Sequence, residues 1–184
     1  MYSDKILYDR FLQGDNDALE KLIDIYKQSL TLFLYGFLKD MKESENMMID
    51  VFAMLVVSGG KFKGNSSLKT YLFAIARNEA LKHLKKNKPH IRLDEVSESL
   101  FSTDDFVEVD LLKKEKNRQL YMCIEKLQDD YREVLFLLYF EDMSYKEAGF
   151  VMKKSEKQIT NLAYRSKKAL KEKLEKEGFV YDGE

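Results

Sequence analysis

The feature that most limits the fold of this chain is the scarcity of residues that interrupt helices. Its 184 residues include a single proline and eight glycines. Apolar residues recur at steps of three and four through most of the sequence. Such steps place apolar side chains on one face of a helix, and few breakers leave long helices uninterrupted. The sequence therefore predicts an all-α protein.

The apolar pattern predicts three helices in the first half of the chain. We expect them over residues 18–38, 44–57 and 67–86, with Asp15 or Asn16 as the N-cap of the first. A short loop, KFKGNSS, separates the second helix from the third. The third ends at or before the single proline, because the residue preceding a proline avoids the helical conformation.

Charge is arranged in blocks, although the formal net charge is only −1. Residues 77–92 carry six bases and one acid, residues 93–110 carry seven acids and no base, and lysine dominates residues 153–176. Apolar periodicity fades in the acidic block, which is typical of an extended linker. We therefore expect two small helical domains, 1–88 and 113–178, joined by an acidic linker.

After the linker, helical spacing resumes in four segments. They are expected over residues 116–127, 129–142, 143–155 and 156–174, with Asp129 or Asp130 as the N-cap of the second. Ser144 is followed three residues later by Glu147, the signature of a capping box at the start of the third.

The last two segments, short then long and joined near residues 153–155, have the arrangement of a helix-turn-helix. Ile159 and Ala163 can face a core while the opposite side of the long helix is polar. Asparagine, threonine and arginine can meet base edges, and arginine and lysine can meet phosphates. A solvated amphipathic helix is the alternative, because two-helix corners are common in all-α proteins.

Other functional classes find little support in the sequence. Cys123 cannot form an internal disulfide and is expected to be a small buried residue. The two histidines, His83 and His90, lack the companions of a metal site, so we expect no metal and no cofactor. We find no phosphate loop, no nucleophile with a nearby base and no membrane-length apolar run, which disfavours an enzyme and predicts a cytoplasmic protein.

Three stretches, in this order, resemble conserved regions of bacterial sigma-70 factors. ESENMMIDVFAML resembles their RNA-polymerase-binding helix, and KFKGNSSLKTYLFAIARNEALKHLKK resembles the part of region 2 where promoters melt. YREVLFLLYFEDMSYKEAGFVMKKSEKQITNLAYRSKKALKEKL resembles region 4. With these two regions and a short linker, the chain is similar to the extracytoplasmic-function (ECF, group IV) sigma factors.

The resemblance implies a function, a set of partners and three sets of contacts. It implies that the chain binds core RNA polymerase, melts the minus-10 element with residues 1–88 and recognises the minus-35 element with residues 113–178. An anti-sigma factor is a further partner that the family suggests. The implied minus-10 contacts are Phe62, Lys63, Asn65, Ser66, Tyr71, Arg77, Asn78, Lys82, Lys85 and Lys86. The implied minus-35 contacts are Lys157, Gln158, Thr160, Asn161, Tyr164, Arg165 and Lys168. The implied polymerase contacts are Asn46, Met47, Asp50, Val51 and Phe52.

Two other functions stay open at this point. One is a two-domain helix-turn-helix regulator that binds DNA but does not act as a polymerase subunit. The other is a helical adaptor whose basic patches are incidental. Residue by residue, the alternatives are core packing for Phe62 and Tyr71, a solvated helix end for the lysines, and full burial of the 44–57 helix.

Overall fold

The computed structural model describes residues 4–58, 62, 64–86, 120 and 122–178, and these residues contain helices and no strand. This confirms the all-α prediction for the described part. The helices are α1 (Asp4–Leu12), α2 (Asn16–Leu38), α3 (Met41–Val57), α4 (Leu68–Lys86), α5 (Asp129–Leu135), α6 (Tyr145–Met152) and α7 (Glu156–Lys176). A π-helical segment, Phe136–Phe140, directly extends α5. The expected linker, residues 89–112, lies outside the described residues.

The start of α2 agrees with the sequence, whereas α3 begins earlier than expected. The Asp15 carboxylate accepts a hydrogen bond from the Ala18 amide and caps α2. Asp40 caps α3 in the same way, accepting from the Glu43 amide at 2.9 Å. Ser44, the expected start, is instead buried inside the first turns, and its hydroxyl donates to the Asp40 carbonyl at 2.6 Å.

The first helix, α1, was not predicted because it is short and charged. Its Leu7 and Tyr8 side chains are buried against the following helices. Two polar contacts fix it to α2: the Tyr26 hydroxyl donates to the Asp4 carboxylate, and Arg10 forms an ion pair with Asp15. Tertiary burial therefore stabilises a helix whose own sequence pattern is weak.

Helices α1 to α4 form one body, which we call the N-terminal body. Its core consists of large apolar side chains from α2, α3 and α4, and burying each of them stabilises the fold by about 1.5–3 kcal/mol. The fully buried members from these helices are Leu22, Leu30, Leu34, Val51, Leu55, Leu72 and Phe73.

Helices α5 to α7 form the C-terminal body. The capping box at Ser144 and Glu147 is confirmed, and a second one at Ser155 and Gln158 starts α7. The N-cap of α5 is Gln128, so Asp129 and Asp130 lie in the first turn rather than at the cap. Their negative charge still suits the positive end of the helix dipole there.

The backbone of α6 and the backbone of the turn that leads into α7 approach each other unusually closely. A Cβ atom at Gly149 would lie 2.7 Å from the Lys154 carbonyl oxygen, a distance that side-chain carbons essentially never show. Lys153 takes the left-handed conformation, with φ 54°, as the last helical residues turn back. Glycine at position 149 therefore lets α7 start close to the axis of α6.

The two bodies pack against each other. The Phe33 ring of α2 lies 5.6 Å from the Phe136 ring, measured between centroids. The Arg132 guanidinium donates to the Gly36 carbonyl at 2.7 Å, so α5 is hydrogen-bonded to the end of α2. The C-terminal body thus rests on α2 and on the adjacent α4.

Candidate promoter and polymerase interfaces

The long helix α7 presents a polar face to solvent while its apolar side is held in the C-terminal body. Ile159, Ala163 and Ser166 are buried against α5 and α6. Tyr164 is 73% exposed. The predicted minus-35 residues are all exposed: Lys157, Gln158, Thr160, Asn161, Tyr164, Arg165 and Lys168. The structure therefore brings these seven side chains to the exposed face of α7.

Two of these side chains also support the helix itself. The Gln158 oxygen accepts a hydrogen bond from the Ser155 amide at 2.8 Å, which completes the cap. The Thr160 hydroxyl donates to the Glu156 carbonyl at 2.9 Å, the usual back-bonding of threonine within a helix. Asn161 and Arg165, one turn apart, are the exposed residues best suited to base edges.

The segment before α4 contains an aromatic cluster. The Phe62 ring contacts Tyr8 edge-on at 5.5 Å and Tyr71 at 5.1 Å between centroids. Both Phe62 and Tyr71 are half-buried, so each packs in the N-terminal body and still presents part of its ring. Gly64 has φ 71°, which favours glycine, and Asn65 beside it is exposed. Lys63 lies outside the described residues.

The C-terminal end of α4 is basic and open to solvent. Asn78, Lys82, Lys85 and Lys86 are exposed. The Lys82 ammonium lies 3.4 Å from the Glu79 carboxylate. Positive charge here complements the negative end of the helix dipole, which is a structural reason for the lysines alongside any nucleic-acid role.

Arg77 is placed differently from the other predicted minus-10 residues. It is buried, and its Nε lies 2.5 Å from Oε1 of Glu133 in the C-terminal body. Burial raises the pKa of Glu133, and the adjacent guanidinium opposes that rise. The expectation that Arg77 holds a phosphate is therefore corrected for this arrangement, because a carboxylate already occupies its guanidinium.

Helix α3 divides the predicted polymerase contacts between two faces. Asn46 and Asp50 are exposed. Met47, Val51 and Phe52 are buried in the core, which corrects the expectation that they contact a partner directly. Their spacing places them on the face that packs against α2 and α4, so they support the opposite face from beneath.

The exposed face of α3 contains apolar residues that the predicted contacts omitted. Ile49 is 60% exposed and Val57 is 84% exposed, with Met54 and Val56 also exposed. Asn46, Ile49 and Asp50 are separated by the three- and four-residue steps that place residues on one side of a helix. This spacing could have identified the exposed face from the sequence. Exposed apolar side chains on one helix face are typical of a protein-binding surface.

Two further observations concern a membrane-spanning helix and a metal site. Among the residues that the structure describes, no helix is long and apolar enough to cross a membrane. The same residues contain no group of histidine, cysteine and acidic side chains arranged to hold a metal ion.

Comparison with protein families assigns both bodies. The model of Sigma-70 region 2 matches residues 22–90, and that of Sigma-70, region 4 matches residues 117–170. The chain is 29% identical over 176 residues to the ECF RNA polymerase sigma factor SigW of Bacillus subtilis, covering 88% of this chain and 91% of the relative. It is 25% identical over 181 residues to the RNA polymerase sigma-H factor of Pseudomonas aeruginosa, covering 94% of each chain.

Solved structures agree on the fold. CnrH in complex with the cytosolic domain of CnrY matches with a TM-score of 0.68 at 19% identity, over 94% of this chain and 97% of the other. The sigma factor RpoE in complex with the anti-sigma factor NepR, from Bartonella quintana, matches with a TM-score of 0.66 at 19% identity, over 85% and 96%. The order of the two matched regions and the relatives that align along most of the chain show that this chain belongs to the ECF group of the sigma-70 family.

Proposed function

We propose that this chain is a transcription initiation factor that binds core RNA polymerase and directs it to particular promoters. The observation that carries the proposal is the exposed polar face of α7, seated in a helix-turn-helix, in the same chain as a region 2 body. A factor of this kind supplies binding and sequence selection in the cytoplasm, and the polymerase performs the chemistry. We therefore propose that the chain itself is not an enzyme.

The minus-35 element is assigned to α7. Asn161 and Arg165 carry the amide and guanidinium groups that read base edges in the major groove. Lys157 and Lys168 flank them and are suited to phosphates, which add affinity without sequence information. The remaining contacts proposed here are Gln158, Thr160 and Tyr164.

The minus-10 element is assigned to the loop before α4 and to the basic end of α4. Extruding a base costs a few kcal/mol, which stacking and edge hydrogen bonds must offset. The partly exposed rings of Phe62 and Tyr71 offer a stacking surface, and Asn65 and Ser66 offer hydrogen-bonding groups. Residues proposed to follow the adjacent strand are Lys63, Asn78, Lys82, Lys85 and Lys86.

Core RNA polymerase is assigned to the exposed face of α3. Asn46 and Asp50 provide polar contacts there, while Ile49 and Val57 provide apolar area that water would otherwise cover. Met47, Val51 and Phe52 hold the helix in the N-terminal body. Burial of this face by a partner accounts for apolar residues that the free chain leaves exposed.

The domain plan and a further partner complete the proposal. We assign residues 1–88 to region 2, residues 89–112 to an acidic linker and residues 113–178 to region 4.

The two solved neighbours are in complex with CnrY and with the anti-sigma factor NepR, respectively. We propose that a protein of the anti-sigma class also binds and regulates this chain.

Run-off transcription tests the proposal. The purified chain is mixed with core RNA polymerase and genomic DNA fragments, and transcript start sites are mapped against core enzyme alone. A small set of new start sites is expected. If the chain binds promoter fragments but yields no start sites above core alone, the regulator that is not a polymerase subunit becomes the better function. If the chain binds neither DNA nor polymerase, a helical adaptor becomes the better function.

A further inference from the structure

The short helix α1 contacts the loop that we assign to the minus-10 element. Its Tyr8 side chain is only 1% exposed. The Tyr8 ring meets the Phe62 ring edge-on, with the centroids 5.5 Å apart and the planes at 84°. Aromatic pairs favour this edge-to-face geometry at such distances. Tyr8 therefore touches the loop, but its own ring is too deeply covered to touch a nucleotide.

Phe62 connects Tyr8 to Tyr71, which lies near the start of α4. The Phe62 and Tyr71 rings have centroids 5.1 Å apart and planes at 40°. Both rings are half-buried, so each packs on the core and still presents part of its surface. The three rings thus form a continuous row. Its first member is buried, and the other two form the surface that we assign to an unpaired base.

The position of Phe62 depends on these ring contacts, because its own backbone restrains it little. Phe62 belongs to no helix, and two residues later Gly64 has φ 71°. Glycine gives the chain more conformational freedom than any other residue. A ring that moves before a base arrives must be ordered on binding, and that cost reduces the affinity. Contact with a fixed partner removes this cost.

Tyr8 is such a fixed partner, because polar contacts near both ends of α1 hold this helix on α2. At the start of α1, the Tyr26 hydroxyl donates a hydrogen bond to the Asp4 carboxylate. Near its end, Nε of Arg10 donates to the Asp15 carboxylate at 2.8 Å. The same carboxylate caps α2, so α1 is joined to the first turn of the longer helix.

We propose that Tyr8 is a positioning residue for promoter opening, which holds Phe62 from α1 so that Phe62 and Tyr71 present an ordered stacking surface to an unpaired base. The inference rests on the proposed function, since it takes the loop before α4 as a minus-10 element. Helix α1, which precedes the residues 22–90 that match region 2, thereby takes part in opening. Core packing alone is the alternative, and it predicts a loss of stability with no specific effect on opening.

The test compares promoter opening with polymerase binding for full-length variants in complex with core RNA polymerase. Tyr8→Leu removes the ring and Tyr8→Phe keeps it. The matched control is Phe33→Leu, which removes another buried ring of the N-terminal body. That ring contacts Phe73 and Phe136 instead.

The template is a promoter fragment whose start site has been mapped with the parent chain by run-off transcription. Abortive-initiation kinetics on this fragment separate the affinity for the duplex promoter from the rate constant of its opening. Titration of each variant with core enzyme gives the polymerase affinity, and thermal unfolding of the free chain gives its stability.

We expect Tyr8→Leu to slow opening about three- to tenfold, the factor to which the loss of one aromatic pair corresponds. Its affinities for core polymerase and for the duplex promoter should equal those of the parent, because the Tyr8 ring touches neither. Tyr8→Phe should open the promoter at the parent rate. Phe33→Leu should lower the thermal stability and leave the rate constant of opening unchanged.

Equal rate constants of opening for the parent and Tyr8→Leu would overturn the proposal. Equal slowing by Tyr8→Leu and Phe33→Leu, or a parallel loss of polymerase affinity in Tyr8→Leu, would overturn it as well and assign Tyr8 to core packing. A parent chain that gives no start site would overturn the proposed function and this inference with it. Normal opening by Tyr8→Leu overturns the inference alone.

A second variant keeps the test decisive if circular dichroism shows that Tyr8→Leu is unfolded. Asp4→Ala with Arg10→Ala removes the two polar contacts that hold α1 on α2 and leaves the core of the other three helices intact. A short helix without such contacts is only marginally stable in water. This variant must slow opening while polymerase affinity is kept, and opening at the parent rate would overturn the proposal.

Discussion

Arg77 and Glu133, 56 residues apart in the sequence, form a buried ion pair that joins α4 to α5, with Nε and Oε1 separated by 2.5 Å. Only 10% of the arginine side chain and 4% of the glutamate side chain are exposed. A buried pair of this kind contributes little net stability, but losing one partner leaves a buried charge uncompensated. The pair therefore makes the packing of the two bodies sensitive to single substitutions.

Replacing Arg77 alone should destabilise the protein in which the two bodies are packed together. We expect Arg77→Met to lower the free energy of unfolding in urea by about 2 kcal/mol, because the Glu133 carboxylate must stay buried without a partner or the bodies must part. The double variant Arg77→Met with Glu133→Leu should recover most of that loss. A double variant less stable than the single one would contradict this account.

Substitutions on the exposed face of α7 should affect upstream promoter binding. Asn161→Ala or Arg165→Ala should weaken binding of the holoenzyme to the minus-35 region by about 1–3 kcal/mol, since each removes a base-edge contact. Polymerase binding should be unchanged. Lys171→Ala, farther along the same helix, serves as the control. If polymerase binding is lost together with promoter binding, α7 is not the recognition helix.

Charge on the exposed face of α3 should weaken polymerase binding. Ile49→Asp should raise the dissociation constant for core enzyme at least about tenfold while leaving thermal stability near that of the parent, because this side chain is exposed. Ile25→Asp on α2, at a similarly exposed apolar position, should leave binding intact. Affinity titrations with core enzyme measure both. Equal losses in the two variants would indicate a general effect of charge.

The turn between α6 and α7 should tolerate no side chain at position 149. Gly149→Ala would drive a methyl group to 2.7 Å from the Lys154 carbonyl and should cost about 1–3 kcal/mol in the free energy of unfolding. The matched control is Gly36→Ala in α2, where the nearest atom, Arg132 Nε, lies at an ordinary 3.7 Å. That change should be neutral or stabilising, because alanine favours helices over glycine.

Docking of α1 should depend on pH in the alkaline range. Burial, and then the hydrogen bond to Asp4, raise the pKa of Tyr26 well above its ordinary value of 10.0. The folded protein therefore keeps this proton when the unfolded chain has lost it, so the stabilisation is complete below pH 10 and declines as the pH rises further. Urea midpoints between pH 8 and 11 should fall more steeply for the parent than for Tyr26→Phe. Parallel profiles would show that the hydroxyl is not protected.

Features that depend on neighbouring residues could be predicted from the sequence. Asp15 caps α2 and the Ser144–Glu147 capping box starts α6, because both devices involve residues only three positions apart. The periodicity of α7 separated Ile159 from Asn161 and Arg165 correctly, since a helix with one apolar stripe has a single face to bury. The order of the motifs also identified the family, which the matches to regions 2 and 4 confirm.

Features that depend on distant residues were decided by the tertiary structure. Helix α3 is apolar on several sides, so only its packing against α2 and α4 determined that Met47 is buried and Ile49 is exposed. The burial of Arg77 follows from a glutamate 56 positions away, and the weak helix α1 exists because the core covers Tyr8. A local pattern specifies a helix and its caps, but the face that a helix buries depends on which other helices pack against it, and that information is distributed over the whole chain.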